Sequence, residues 1–356
     1  MNDTSRPSRF AVHALVGLLF VLTGCSATLG QPSLTDGVHV RVVDVGAGLC
    51  CIVRIPGNAE DGDYYIVYDA GNYDDKGKTA IEAIRAFIPE NETIDLLVLS
   101  HTDSDHIAAV PDIVNEYWID RILRTGMDRA GSDPKTLVNA RKAIAEARDE
   151  WGALDLSLSE VELPYGLTWV MGDALVTMVC GFGAPLEEWG LTSNSKKNNA
   201  VSIVLRIDYA GKSILFCGDT VGRKDNTGRD ADCIATEKFI LDLSRAIEID
   251  SDVMIAPHHG ADNASCTAFI EAVSPDWVIF SAGHKFKHPR QSTADRFIAA
   301  GVDPEQMLRT DRGDDEGSGE WDHERIPGQK DGKGDDDIEI LISPGGALNV
   351  KYRNER

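Results

Sequence analysis

Four residues able to bind metals or move protons fall within six consecutive positions: His101, Asp103, Asp105 and His106, in the run HTDSDH. Imidazole and carboxylate are common ligands of zinc and manganese, and their alternation over so short a loop lets one segment serve two ions. The ordinary reading of the same letters is a polar turn that caps a helix near residues 107–117. Two histidines and two aspartates in six positions exceed what a turn needs, so metal binding is the better reading.

Further candidates lie downstream. Asp219 closes the stretch Phe216-Cys217-Gly218-Asp219. A glycine permits a sharp turn that aims the carboxylate back toward His101, although Gly-Asp alone is a commonplace turn. His258 and His259 follow an apolar stretch, residues 252–257. Adjacent side chains of an extended chain point to opposite faces, so one is expected as a ligand or acid–base group and the other as a packing or outer-layer residue, with His258 favoured. His288, before Pro289, suits metal ligation or donation of a proton to a leaving group. Lys285, Lys287 and Arg290 make the region around it the most basic short patch in the later half of the chain. That patch reads equally as a phosphate site, with Lys287 on the substrate, or as a plain surface loop.

Strands must deliver these residues to one place. Residues 94–99 form a β-favouring apolar run broken only by Asp95, and 213–217 and 252–257 are similar; each stops at candidate ligands. Residues 134–151 have helical composition and suit an outer surface. Residues 338–343 and 347–352 read as a terminal hairpin around Pro344-Gly345-Gly346.

The run HTDSDH resembles the HxHxDH signature of the metallo-β-lactamase superfamily, with Asp103 in place of the middle histidine. That replacement is the form found in the hydrolase domain of ComEC-like competence proteins. VDVGAGLCCIV (43–53), YIVYDAG (65–71), the block from Asn198 to Asp219, DVMIAPHHG (252–260) and WVIFSAGHKFKHP (277–289) resemble the family's other blocks in order. The resemblance implies a four-layer αββα sandwich with one or two divalent ions, Zn²⁺ or Mn²⁺, between the sheets. It implies that Asp219 bridges or anchors the ions, that Asp44 and Asp69 belong to the family's early blocks, and that Asp69 hydrogen-bonds a ligand histidine; helix capping or turn formation explains Asp44 and Asp69 equally well. Asn198 and Asn199 stand where many members carry another metal-binding histidine, so Asn199 is a candidate substrate or ligand residue. One site would draw on His101, Asp103 and Asn199, the other on Asp105, His106, Asp219 and one of His258 or His259. Oxygen in place of imidazole hardens the first site toward Mn²⁺.

The implied activity is hydrolysis of a phosphodiester by a metal-activated water, with Asp105, His258 and His288 as catalytic groups. Hydrolysis of a lactam, lactone or thioester is one alternative, and a non-catalytic metal-binding lipoprotein is another. A small phosphodiester or an oligonucleotide is the expected partner. The net charge of −23 weighs against tight binding to long nucleic acid, which needs many Lys or Arg contacts. Oligomeric state is not legible in the sequence.

Arg6 and Arg9 precede an apolar segment, residues 10–22, that ends in Leu22-Thr23-Gly24-Cys25. This looks like a lipoprotein signal with Cys25 lipidated, which implies export and anchoring at a membrane face; an ordinary signal peptide or an uncleaved anchor are the alternatives. The expected layout is a signal at 1–25, a tether at 26–37, one hydrolase domain at 38–310, an acidic Gly-rich loop at 311–337 and the hairpin at 338–356. Of the cysteines beyond Cys25, most are expected as buried free thiols, and Cys50 and Cys51 should point to opposite faces.

Overall fold

The computed structural model describes residues 36–354 except 59–61, 73, 130–132, 284, 314–318, 322–333 and 335. The signal and lipidation site at Cys25, and most of the acidic loop, lie outside the described residues.

Alternation of apolar side chains builds two sheets with two apolar faces each. The first runs through β1 (Val38–Val42), β2 (Cys50–Ile55), β3 (Tyr64–Ala70), β4 (Thr93–Leu99), β5 (Trp118–Arg124) and β6 (Leu154–Ser157). The second holds β7 (Leu167–Met171), β8 (Ala174–Cys180), β9 (Val204–Tyr209), β10 (Lys212–Phe216), β11 (Val253–Ile255), β12 (Trp277–Phe280) and β13 (Met307–Arg309), in the order β13-β12-β11-β10-β9-β8-β7. The C-terminal hairpin, β14 (Ile338–Ile342) and β15 (Leu348–Tyr352), joins the first sheet, where β14 pairs antiparallel with β1.

Between the sheets, Val40, Cys51, Val53, Ile66 and Val98 pack against Met178, Leu205, Ile214 and Val253. The opposite face of the first sheet, with Cys50, Ile52 and Leu97, is covered by α1 (Lys78–Phe87), α2 (Ser104–Ile107), α3 (Val110–Glu116) and α4 (Lys135–Trp151). After α5 (Asn194–Ala200), helices α6 (Ala235–Leu243), α7 (Thr267–Val273) and α8 (Gln291–Ala299) cover the outer face of the second sheet. The result is the four-layer αββα sandwich. Cys50 and Cys51 do face opposite layers.

Two local expectations need adjusting. The helix expected near 107–117 is two short helices, α2 and α3, divided around Ala108 and Ala109. The strand expected over 252–257 covers only Val253–Ile255, and the histidines after it are not extended. Among the cysteines, Cys50, Cys51, Cys180 and Cys217 are buried free thiols, while Cys233 and Cys266 form a disulfide.

Pairs β3–β4 and β10–β11–β12 are parallel, so their C-terminal ends open on the same side of each sheet. Ile203 N donates to Ser100 O at 3.0 Å and Tyr68 Oη to Ile203 O at 2.6 Å, which ties the two sheets together beside those ends. Ligands of open α/β sheets collect outside such strand ends.

Candidate metal centre

The site forms where β3, β4, β10 and β11 stop. At the end of β4, Ser100 leads into the loop that carries His101, and Asp103, Asp105 and His106 follow into α2. Gly71 lets this loop press against the end of β3, since a Cβ there would meet the Asp105 carbonyl carbon at 2.2 Å. After β10, Gly218 adopts φ 53°, and a Cβ would meet Ser100 Cβ at 2.8 Å. Glycine is needed there for both reasons, and the turn delivers Asp219 to the centre.

Asp219 is the hub. Its Oδ1 lies 3.3 Å from His106 Nε2 and 3.5 Å from His259 Nε2. Its Oδ2 lies 3.7 Å from His101 Nε2 and 3.6 Å from His258 Nε2. His258 and His259 both reach it because each sits in the left-handed region, at φ 48° and 55°. The opposite-faces expectation assumed an extended chain; two successive left-handed residues turn both rings inward.

Every one of these rings has its Nδ1 engaged on the far side. His106 Nδ1 donates to Asp69 Oδ2 at 2.8 Å, and His259 Nδ1 to the Ser281 carbonyl at 2.8 Å. His258 Nδ1 donates to Asn263 Oδ1 at 2.7 Å. His101 Nδ1 meets Ser100 Oγ at 3.0 Å, and that hydroxyl donates onward to Asp69 Oδ2 at 2.6 Å. Asp69, itself at φ 56°, thus braces two rings at once. With Nδ1 as the donor on the far side, each ring turns its Nε2 toward a carboxylate.

That convergence tests whether a cation fits. His101 Nε2 and Asp219 Oδ1 are buried and have no hydrogen-bond partner. His101, His106 and Asp219 offer ligand atoms within 4.8 Å of one another, and so do Asp105, His106 and His259. Lone pairs facing a carboxylate in a dry site repel unless a cation or protons lie between them. The residues fit one or two divalent ions, with nitrogen and oxygen donors of the kinds zinc and manganese accept.

Electrostatics point the same way. Burial alone would raise the Asp219 carboxyl, but His106, His259, His258 and His101 outweigh it and hold it well below the carboxylate range. Burial would lower His106, yet Asp219 and Asp69 push it well above an ordinary histidine. His259 and His288 are both lowered, chiefly by burial.

The other candidates are placed less centrally. Asp103 Oδ2 lies 3.4 Å from His101 Nε2, but its Oδ1 accepts from Arg129 Nη1 at 2.6 Å. Burial would raise its carboxyl, and His101 and Arg129 override that and hold it low. Asp103 belongs to neither converging group among the described residues. Asn199 is buried, with Nδ2 3.1 Å from His258 Nε2, whereas Asn198 accepts from Thr102. His288 lies parallel to His259 at 6.5 Å and tilted against His258 at 5.8 Å, centroid to centroid, with a buried, unpartnered Nδ1. Lys287 is exposed. Asp44 is remote from these rings in its bonding: its backbone N–H donates to Asp337 and its carboxylate accepts from Gly46 and Gly334.

Sequence reasoning missed Ser100, Arg129, Asn263 and the Ser281 carbonyl. Ser100 had a signal, a lone hydroxyl at the end of an apolar strand. Arg129 and Asn263 had none, because only the folded chain brings them to Asp103 and His258.

Residues 43–175 match the metallo-beta-lactamase superfamily. Over 284 residues the chain is 27% identical to Competence protein ComA of Neisseria gonorrhoeae, covering 76% of this chain and 31% of that protein. It is 24% identical to ComE operon protein 3 of Bacillus subtilis (strain 168) over 293 residues, 79% of this chain and 33% of that one. The chain thus spans about a third of the length of these curated relatives. Zn(2+)-bound PqqB from Methylobacterium extorquens aligns with a TM-score of 0.42 at 11% identity, over 76% of this chain and 97% of that one. The matched residues contain the HTDSDH loop together with the strand that carries it, so the chain carries a region similar to the metallo-β-lactamase superfamily and is similar over most of its length to the competence proteins named above.

Proposed function

We propose that the chain is a metal-dependent phosphodiesterase acting on small phosphodiesters or short oligonucleotides. The observation that carries this reading is the cleft of about 850 Å³ beside the centre, lined by His258, His288, Arg290, Asn263, Asn226 and Ser292. Hydrogen-bond donors and one guanidinium suit a phosphate. Two carboxylates also line the cleft, but Asp225 is paired with Lys196 at 2.6 Å and Asp262 with Arg296 at 3.2 Å.

His106, His259, Asp105 and Asp219 would hold one divalent ion, and His101, His258 and Asp219 a second. When bound, such an ion supplies Lewis acidity toward a phosphoryl oxygen and makes water more acidic. Asp105, with Oδ2 3.9 Å from His259 Nε2, would take the proton of the attacking water. Burial keeps His288 neutral near pH 7, so its ring acts as a hydrogen-bond donor to a substrate oxygen rather than as a fixed cation. Arg290 binds the phosphate charge, and Asn263 fixes His258 in the orientation that meets Asp219.

Four imidazoles and two carboxylates suit zinc as well as manganese, so both ions are candidates. Export and lipid anchoring through Cys25 complete the reading; the disulfide between Cys233 and Cys266 supports an oxidising compartment. Among the described residues no helix is long and apolar enough to cross a membrane.

Elemental analysis of the full chain, paired with turnover of bis(p-nitrophenyl) phosphate in added Mn²⁺ or Zn²⁺, tests the proposal. Metal-stimulated turnover that disappears in Asp219→Asn is expected. Bound metal with no phosphodiester turnover, but hydrolysis of a lactone or thioester, would overturn the substrate class.

A further inference from the structure

Arg129 stands beside the metal centre, and only one corner of its guanidinium is used. Nη1 donates to Asp103 Oδ1 at 2.6 Å and to the Thr102 carbonyl at 3.5 Å. Asp103 Oδ2 lies 3.4 Å from His101 Nε2, so a single carboxylate separates the guanidinium from a ring of the centre. Among the described residues, Nε and Nη2 make no hydrogen bond. They are not buried either: the side chain is 23% exposed, and this edge is open to water.

Nε and Nη2 form the edge of a guanidinium whose N–H groups run parallel, and that edge matches two oxygens of one carboxylate or phosphate. Elsewhere in the chain it is filled. Arg124 grips Asp155 with Nε at 2.8 Å and Nη2 at 2.7 Å, and Arg309 grips Asp311 with the same atoms at 2.6 Å and 2.8 Å. Arg85 holds Glu116 in the same way. Arg129 is fastened through Nη1 instead, and its parallel edge is left over. Its place differs from that of Arg290, which lines the cleft with His258 and His288; Arg129 lies against the loop that carries His101.

We propose that Arg129 grips the scissile phosphate, with Nε and Nη2 donating to two of its oxygens while Nη1 stays on Asp103. The proposal deepens the phosphodiesterase reading above and rests on it for the identity of the ester. A guanidinium already held at one corner gives up less freedom on binding than a loose one. A chain of net charge −23 repels anions at long range, so a phosphate must be held by donors at contact. In this arrangement Asp103 orients a substrate-binding group, in keeping with its place outside both converging groups. The edge also discriminates: a phosphate presents two equivalent oxygens to it, and a lactone carbonyl only one.

The full chain, loaded with Mn²⁺ or Zn²⁺ and freed of excess ion, is titrated with inorganic phosphate in a calorimeter. Wild type, Arg129→Met and Arg129→Lys are compared, and the metal content of each is measured. The Asp103–Arg129 pair is partly exposed, so its removal costs the fold little. Phosphate affinity should fall about tenfold or more in Arg129→Met while the metal stays bound. Arg129→Lys keeps the charge without the parallel edge, and should recover only a small part of the loss. For bis(p-nitrophenyl) phosphate, kcat/KM should fall by a similar factor in both variants. Phosphate that fails to bind the wild type, or binds Arg129→Met equally well, overturns the grip. So does phosphate affinity lost only together with the metal, since Arg129 would then act through Asp103 alone. Full recovery in Arg129→Lys overturns the two-oxygen contact. Affinity that falls as expected, with no turnover of the diester by the wild type, upholds the grip and overturns the phosphodiesterase reading.

Discussion

The two oxygens of Asp219 face differently furnished halves of one centre. On the Oδ1 side, His106 and His259 are buried with Nε2 atoms 3.2 Å apart, and the Asp105 carboxylate stands beside them. On the Oδ2 side, His101 and His258 converge on the oxygen, but the acid that should complete the set, Asp103, is held by the Arg129 guanidinium. The first half therefore offers a cation two imidazoles and two carboxylates. The second offers two imidazoles, one shared carboxylate and a nearby positive charge. Coulomb attraction and donor number both favour the Oδ1 half, so one ion should bind tightly and the other weakly.

The largest test of this contrast is Asp219→Asn, which removes the group common to both halves. Metal content should drop at both positions and turnover fall on the order of a thousandfold, read by elemental analysis and initial rates. His259→Ala against His258→Ala separates the halves. The first should release the tight ion, with a loss greater than the ~10–100-fold that follows removal of an outer partner; the second should affect only the weak one. Equal losses from both variants would erase the asymmetry. Asp69→Asn should lower affinity in both halves by about 10–100-fold, since it braces His106 directly and His101 through Ser100. Arg129→Met should tighten the weak ion by only about two- to fivefold, because the pair with Asp103 is partly exposed. Weaker binding in that variant would mean that Arg129 positions Asp103 for a ligand role.

Much of this centre was legible because apolar strands in the sequence stop abruptly at acids and histidines. The run 94–99 could be read as a buried strand, and His101, Asp105 and His106 had to lie at its end. Asp219 was legible for the same reason, through Gly218. The paired roles of His258 and His259 were not, since φ values of 48° and 55° belong to a tertiary compromise rather than to residue preference. Arg129 meets Asp103 across 26 residues, and β14 meets β1 from the other end of the chain; neither pairing leaves a local pattern. The Cys233–Cys266 link was hidden among the several pairings that six cysteines permit.

That link has a consequence for how the protein matures. Its ends are 33 residues apart in sequence, and the ring it closes contains β11 and both His258 and His259. Closing a ring of this size restricts the unfolded chain and favours the native state by about 3–4 kcal/mol in the chain-entropy account. Half of the imidazoles around Asp219 are therefore fastened by a bond that forms only after an oxidant has been met. A chain kept under reductant has the strands of both sheets to guide it, but it must order this segment unaided. Loading of the ion should then lag behind folding, so the thiol chemistry of the surroundings sets when the centre becomes complete.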